Sequence, residues 1–277
     1  MIIWQLYPEI MIKNENKIVS LIFIRGIKMR IGISALTFNL KEALKICENN
    51  KEINHIEIGI DNINDCEEVK KYEKEIKKLN LTIGIHLPME LNSCENIEFI
   101  RNKWTQYIIT LDEKLSFLQI SYYNMHLGYV MANRLTKNKL KYLDNTIKFF
   151  DKLYDEKKLP ITIENTYTKG GDFFNMGTEV EDFIYIFKKH RNLNFCYDTG
   201  HDLICKSNYD LIKNKIKIVH LSDNNKREDE HLGILKGKLT TEDLKYILNI
   251  NPEFLVLEMK FNDINESLQI LKQNYLK

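Results

Sequence analysis

The sequence has little that punctuates a chain: 4 prolines and 11 glycines in 277 residues. No linker rich in Pro, Gly or Ser divides it, so one domain without internal repeats is expected. The five cysteines (Cys47, Cys66, Cys94, Cys196 and Cys205) are odd in number, widely spaced and without a C-x-x-C pair. That argues against a disulfide framework and a thiolate zinc site, and it fits a reducing cytoplasm. Cys196, inside an apolar run, reads as a small core residue. An excess of one charge is also missing, because 40 basic and 39 acidic side chains leave +1. Nothing in that balance calls for a polyanionic partner, although a local basic groove is compatible with a neutral total. Long apolar runs are absent too. The segment IVSLIFI near the start is far too short to span a bilayer, so no membrane partner is expected.

That apolar segment follows a mixed-charge stretch and has no small-residue cleavage site, unlike a signal peptide. Met29 stands directly before the strand-like run RIGISAL. Residues 1–28 are therefore expected to be an N-terminal extension that is not the native start, and 29–277 to be the domain. An edge strand packed on the body is the competing reading.

What is present is an alternation. Short β-rich runs occur at 30–36, 55–60, 81–87, 118–127, 160–165, 193–198, 216–222 and 254–259. Amphipathic helical stretches such as NLKEALKICENN, DCEEVKKYEKEIKKLN, TEVEDFIYIFKKH and DINESLQILKQNYL separate or follow them. Thr178 and Thr240 precede acidic first turns and read as helix caps. Eight strand–helix units in roughly 250 residues is the arithmetic of a (β/α)8 TIM barrel, an α/β fold whose chemistry sits at the C-terminal ends of the strands. A doubly wound open sheet normally carries a Gly-rich turn after its first strand, and SALTFNLKEA has none.

The seven histidines test that frame. His55 opens a strand and His190 ends a helix, positions that suit a solvated or capping side chain. His86, His126, His201, His220 and His231 all lie at or just past a strand end, as do Glu164, Asp198, Asp229 and Glu258. An ionisable group at the end of an apolar strand is costly to bury unless it is paired or bound to a cation. Nine converging on one barrel mouth call for a divalent metal. Nitrogen and oxygen donors without sulfur favour Zn²⁺ or Mn²⁺, with Co²⁺ compatible and Mg²⁺ less suited to so many imidazoles.

The ordered motifs IHLP, MHLG, IENT, YDTGH, HLSDN…DEHLG and LEM resemble those of the xylose-isomerase-like barrel superfamily. That superfamily groups sugar phosphate isomerases and epimerases with endonuclease IV. The resemblance runs from Arg30 to the C-terminus. Similarity to the isomerases implies that Glu164, Asp198, His220 and Glu258 hold one catalytic metal, with His86, His126, His201 and His231 beside the substrate. Similarity to endonuclease IV implies that all nine residues are ligands of a three-zinc cluster. IHLPMELN keeps an Asn six positions after its histidine, as the nuclease pattern does. It departs from that pattern in carrying Met89 where the nuclease has an aromatic residue, followed by acidic Glu90, which phosphates would repel.

The sequence-based expectation is a divalent-metal-dependent isomerase or epimerase of a sugar or sugar phosphate, with Glu164 and Glu258 shuttling a proton. A zinc phosphodiesterase of the endonuclease IV type, acting on abasic DNA, is the alternative. A non-catalytic metal- or ligand-binding barrel is the third. Lys236 and Lys238, which follow the histidine loop, read as solvated surface charges.

Overall fold

A computed structural model describes residues 29–274. The expectation about residues 1–28 lies outside the described residues. Ten strands follow in chain order: β1 Arg30–Leu36, β2 Ile53–Gly59, β3 Thr82–His86, β4 Ile120–Met125, β5 Tyr129–Met131, β6 Ile161–Glu164, β7 Phe173–Asn175, β8 Asn194–Asp198, β9 Ile216–Leu221 and β10 Phe254–Leu257. Eight of them close into a barrel in the order β1-β10-β9-β8-β6-β4-β3-β2, every pairing parallel. The fold is the expected (β/α)8 TIM barrel. β5 and β7 form a separate two-stranded antiparallel sheet in the loops that follow β4 and β6.

Helices whose apolar face recurs at the helical period cover the barrel. Leu40, Ala43, Leu44 and Cys47 are the buried residues of the helix Leu40–Asn49, and Phe183, Ile186 and Phe187 are among those of Val180–Lys189. The main core lies between these helices and the outer face of the strands. A second, smaller cluster (Tyr122, Cys196, Ile218, Phe254 and Val256) fills the lower barrel interior. Thr240 caps its helix with a full capping box to Asp243. Thr178 does not cap: its helix starts at Val180, whose N–H is satisfied instead by Ser207 Oγ at 3.0 Å. No helix among the described residues is long and apolar enough to cross a membrane.

Candidate metal centre

Inward side chains of a barrel strand step by two residues, so each strand-end group stands above an inward neighbour. Cys196 lies under Asp198, Ile218 under His220, Val256 under Glu258 and Tyr122 under Asn124. His86, Glu164 and Asp198 end β3, β6 and β8, and His220 is the penultimate residue of β9. His126 and Glu258 directly follow β4 and β10, while His201 lies in the first turn of the helix Thr199–Ile204. Asp229 and His231 return on the loop after β9. All nine expected residues meet at one mouth.

They fall into three groups. Ligand atoms of Glu164, Asp198, His220 and Glu258 lie within 4.8 Å of one another, and so do those of His86, His126 and Glu164. The third group is joined through Asp229, whose Oδ2 is 3.2 Å from His201 Nε2 and 3.1 Å from His231 Nε2. Hydrogen bonds set the imidazole tautomers. Nδ1 of His86, His201 and His231 meets the carbonyl of Leu87, Asn165 and Glu258 at 2.8, 2.9 and 3.0 Å. A carbonyl only accepts, so each Nδ1 carries a proton and each Nε2 is the atom left facing inward. His220 is reversed: its Nε2 donates to Glu57 Oε2 at 3.0 Å, leaving Nδ1 as the inward atom.

His220 Nδ1 lies 2.7 Å from Glu258 Oε2, yet the pair lacks hydrogen-bond geometry, and both atoms are buried without a partner. Asp198 Oδ2 and Asp229 Oδ1 are orphaned in the same way. Asp198 divides its carboxylate: Oδ1 accepts the backbone N–H of His201 at 2.6 Å as a helix cap, and Oδ2 faces the cluster. Buried acceptors without donors are costly, and a cation in the tetrad would satisfy three of them, Asp198 Oδ2, His220 Nδ1 and Glu258 Oε2, together. The donor chemistry fits a divalent metal of the Zn²⁺, Mn²⁺ or Co²⁺ kind. The sequence reading of Cys196 as a plain core residue needs amending, because its thiol forms a further close trio with Glu164 and His220.

The electrostatics point the same way. Burial opposes charge on the histidines, but Glu164 beside His86 raises its pKa to about 9, and Asp198 and Asp229 raise that of His201 to about 10. Asp229 and Glu258 likewise hold His231 at about 9 against burial. Burial, with Glu258 and Glu164 close by, pushes Asp198 up to about 7 despite His201. Burial also acts against Glu164, yet His220 and His126 keep its carboxyl well below the usual range. Without a cation His86, His201 and His231 hold protons, while burial pushes the pKa of His126 down, and metal binding would displace those protons.

The ligand loop is built in advance. Asp223, fully buried, accepts the N–H groups of Asn224, Lys238 and Leu239 on Oδ1 at 2.7, 2.8 and 2.8 Å, and that of Gly237 on Oδ2 at 2.7 Å. A Cβ at Gly237 would stand 2.4 Å from the Asn224 carbonyl, so only glycine lets the strap close. Asp223 and Leu232 also form an isolated antiparallel bridge. Between those anchors His231 adopts φ +49°, a left-handed conformation uncommon for a non-glycine residue and held here by its surroundings.

Two histidine expectations are corrected. His55 is not solvated but fully buried in the barrel interior, bonded to Thr82 Oγ1 and Tyr122 OH. His190 does sit at the helix C-cap position, but it is buried against Phe150 and Tyr154. Lys236 is paired with Asp263 and Glu266 on the last helix, away from the mouth. Sequence reasoning missed Glu57, buried on β2, and Asn124, which donates to Glu164 and accepts from Thr162 Oγ1. The signal for Glu57 was a carboxylate inside the apolar run HIEIGI.

A cavity of about 650 Å³ opens above the cluster, with Met89, Glu42, Asp61 and Lys260 among its lining. The molecule is a (β/α)8 barrel with groups of carboxylates and imidazoles at the carboxyl ends of its strands that could hold a metal ion. The chain belongs to the xylose isomerase-like TIM barrel family, whose sequence pattern matches residues 38–274. It is 26% identical over 252 residues to the uncharacterized protein MJ1614 of Methanocaldococcus jannaschii, covering 86% of this chain and 95% of that one. It is 22% identical over 236 residues to a probable endonuclease 4 of Clostridium beijerinckii, covering 76% and 83%. A solved D-tagatose 3-epimerase-like protein superposes with a TM-score of 0.74 at 24% identity, covering 88% and 96%.

Proposed function

We propose that this chain is a multinuclear divalent-metal phosphodiesterase, with abasic DNA as its first substrate class to test. One observation carries the reading: beside the tetrad, His86 and His126 form a second close group on Glu164, and Asp229 links His201 to His231, so the histidines are not spare. Glu164 belongs to the tetrad and to the His86–His126 group, as well as to the trio with Cys196. Charge supports it as well. Glu164, Asp198, Asp229 and Glu258 bring four negative charges to the mouth. A single dication would leave the mouth anionic, whereas three would leave it cationic and matched to a phosphodiester. When bound, such ions polarise phosphoryl oxygens and lower the pKa of water.

The chain's own residues do the rest. The carbonyl-anchored histidines hold their Nε2 atoms inward without a change of tautomer. Glu258, the member of the tetrad whose side chain is 23% exposed, opens to the cavity and is placed to take a proton from an entering water. The test is metal analysis of the purified protein together with nicking of a labelled duplex containing one abasic site. About three equivalents of metal and nicking at that site are expected. One equivalent with no nicking overturns the reading.

The rim supports a second reading, the isomerase or epimerase. Glu42 and Asp61 line the entrance against Lys260, which suits a neutral sugar better than DNA. In that reading the tetrad holds one metal while Glu164 and Glu258 move the proton. Solvent deuterium entering a ketose at one equivalent of metal is its signature.

A further inference from the structure

Beside the apolar cluster of the lower barrel interior runs a line of buried polar side chains, where a TIM barrel usually packs branched apolar ones. Glu57 Oε2, buried, receives two hydrogen bonds: from Tyr122 OH at 2.6 Å and from His220 Nε2 at 3.0 Å. Tyr122 donates its single proton to Glu57, so it accepts from His55 Nε2 at 2.8 Å. His55 Nδ1 in turn meets Thr82 Oγ1 at 2.9 Å. The column runs through the interior from the metal mouth to the start of β3.

Two other strands make room for it. On β1, a Cβ at Gly32 would lie 2.6 Å from His55 Cδ2, and on β3 a Cβ at Gly84 would lie 2.3 Å from Tyr122 Cζ. The inner face of the barrel omits two side chains so that these rings can stand in line. Phe254 packs against both rings, with centroids 4.5 Å from His55 and 5.0 Å from Tyr122.

We infer that Glu57 is a positioning residue that fixes the tautomer and rotation of His220, presenting Nδ1 for a metal ion, and that Tyr122 holds Glu57 in that role. An imidazole whose Nε2 proton is anchored on a carboxylate keeps its Nδ1 lone pair directed and more basic. Glu57 could swing away from His220, but the Tyr122 hydroxyl fastens the same oxygen from the opposite side. Tyr122 is itself held by His55. The inference rests on the metal reading of the mouth and is independent of the reaction assigned to it.

The test uses the full chain, stripped of metal and titrated with Co²⁺ alone against a competing chelator, while the visible absorption of the bound ion is followed. Glu57→Gln keeps the side-chain volume but offers His220 an amide in place of a carboxylate. It is expected to weaken Co²⁺ binding about 10–100-fold and to alter the absorption band. Tyr122→Phe, which removes one oxygen, is expected to act in the same direction by a smaller factor. Parental affinity and an unchanged band in Glu57→Gln overturn the inference. If Glu57→Gln does not fold, Tyr122→Phe decides: unchanged affinity and band overturn it, and a weakened, shifted signal supports it. A parent chain that binds no Co²⁺ overturns the metal reading itself, so the two failures are distinct.

Discussion

His55 and His220 occupy the same barrel interior, both fully buried, and they are opposite in one respect. Each ring nitrogen of His55 has a partner, Thr82 and Tyr122. His220 has a partner for Nε2 and none for Nδ1. Burial therefore does not separate a structural histidine from a ligand; saturation of its hydrogen bonds does. The same contrast holds between the lower column, where Glu57 and Tyr122 are satisfied, and the mouth, where Asp198, Asp229 and Glu258 each keep an oxygen unpaired. The lower region is complete without a ligand, and the upper region is not.

The sharpest way to break this contrast is at Glu164, which two groups share. Glu164→Ala should release metal from both groups and cut turnover on whichever substrate the tests above identify by at least the roughly 10²–10⁴-fold typical of losing a proton-transfer group. Metal content and kcat measured on one preparation check this. A folded variant with full metal and activity would sink the shared-ligand assignment.

Chelation is the next largest effect. At free metal about 100-fold above Kd, binding to the folded state contributes about 2.7 kcal/mol. Its removal should lower Tm by about 5–10 °C for a chain of this size. Restoration by added Zn²⁺ or Mn²⁺ is part of the expected result, and a Tm indifferent to chelator contradicts it.

Asp223→Asn should cost roughly 1–3 kcal/mol, because a buried acceptor serving four amides is replaced by a group that can also donate. Thermal melting gives that value. Metal titration should show weakened binding in the Asp229 group with the tetrad retained.

The metal-free protein should also lose stability with rising pH. His86 at about 9, His201 at about 10 and His231 at about 9 are raised above the unfolded value of roughly 6.5. Their contribution is fully present below that unfolded value and is lost as pH rises through about 9–10. The loaded protein should behave in the opposite sense over the lower part of this range, because ligand histidines must give up their protons to bind metal. Chemical denaturation of both forms between pH 6 and 10 tests the sign. The smallest expected effect is Thr240→Ala, which removes the capping box and no hydrogen bond of the Asp223 strap, and should cost about 1 kcal/mol with metal affinity unchanged.

The contrast also explains what was legible in the sequence. Strand ends were readable because imidazoles and carboxylates interrupt apolar runs there, and all eight barrel strands and nine mouth residues fall where the pattern puts them. His55 and Tyr122 were not, because inward and outward positions of a buried parallel strand look alike in one sequence. Glu57 interrupts its apolar run but stands one layer below the strand ends, where a lone carboxylate carries no positional signal. β5 and β7 are three residues each, too short for any period to register. Thr178 failed as a cap because Ser207, remote in sequence, supplies the oxygen instead.

The strap around Asp223 bears on how quickly the mouth could fill. A loose loop must give up about 1–2 kcal/mol of backbone freedom per residue when an ion orders it. Here one carboxylate already ties both flanks of the segment carrying Asp229 and His231. Uptake of an ion at that group should therefore run at the pace of water leaving the ion, with no slow rearrangement of the chain behind it.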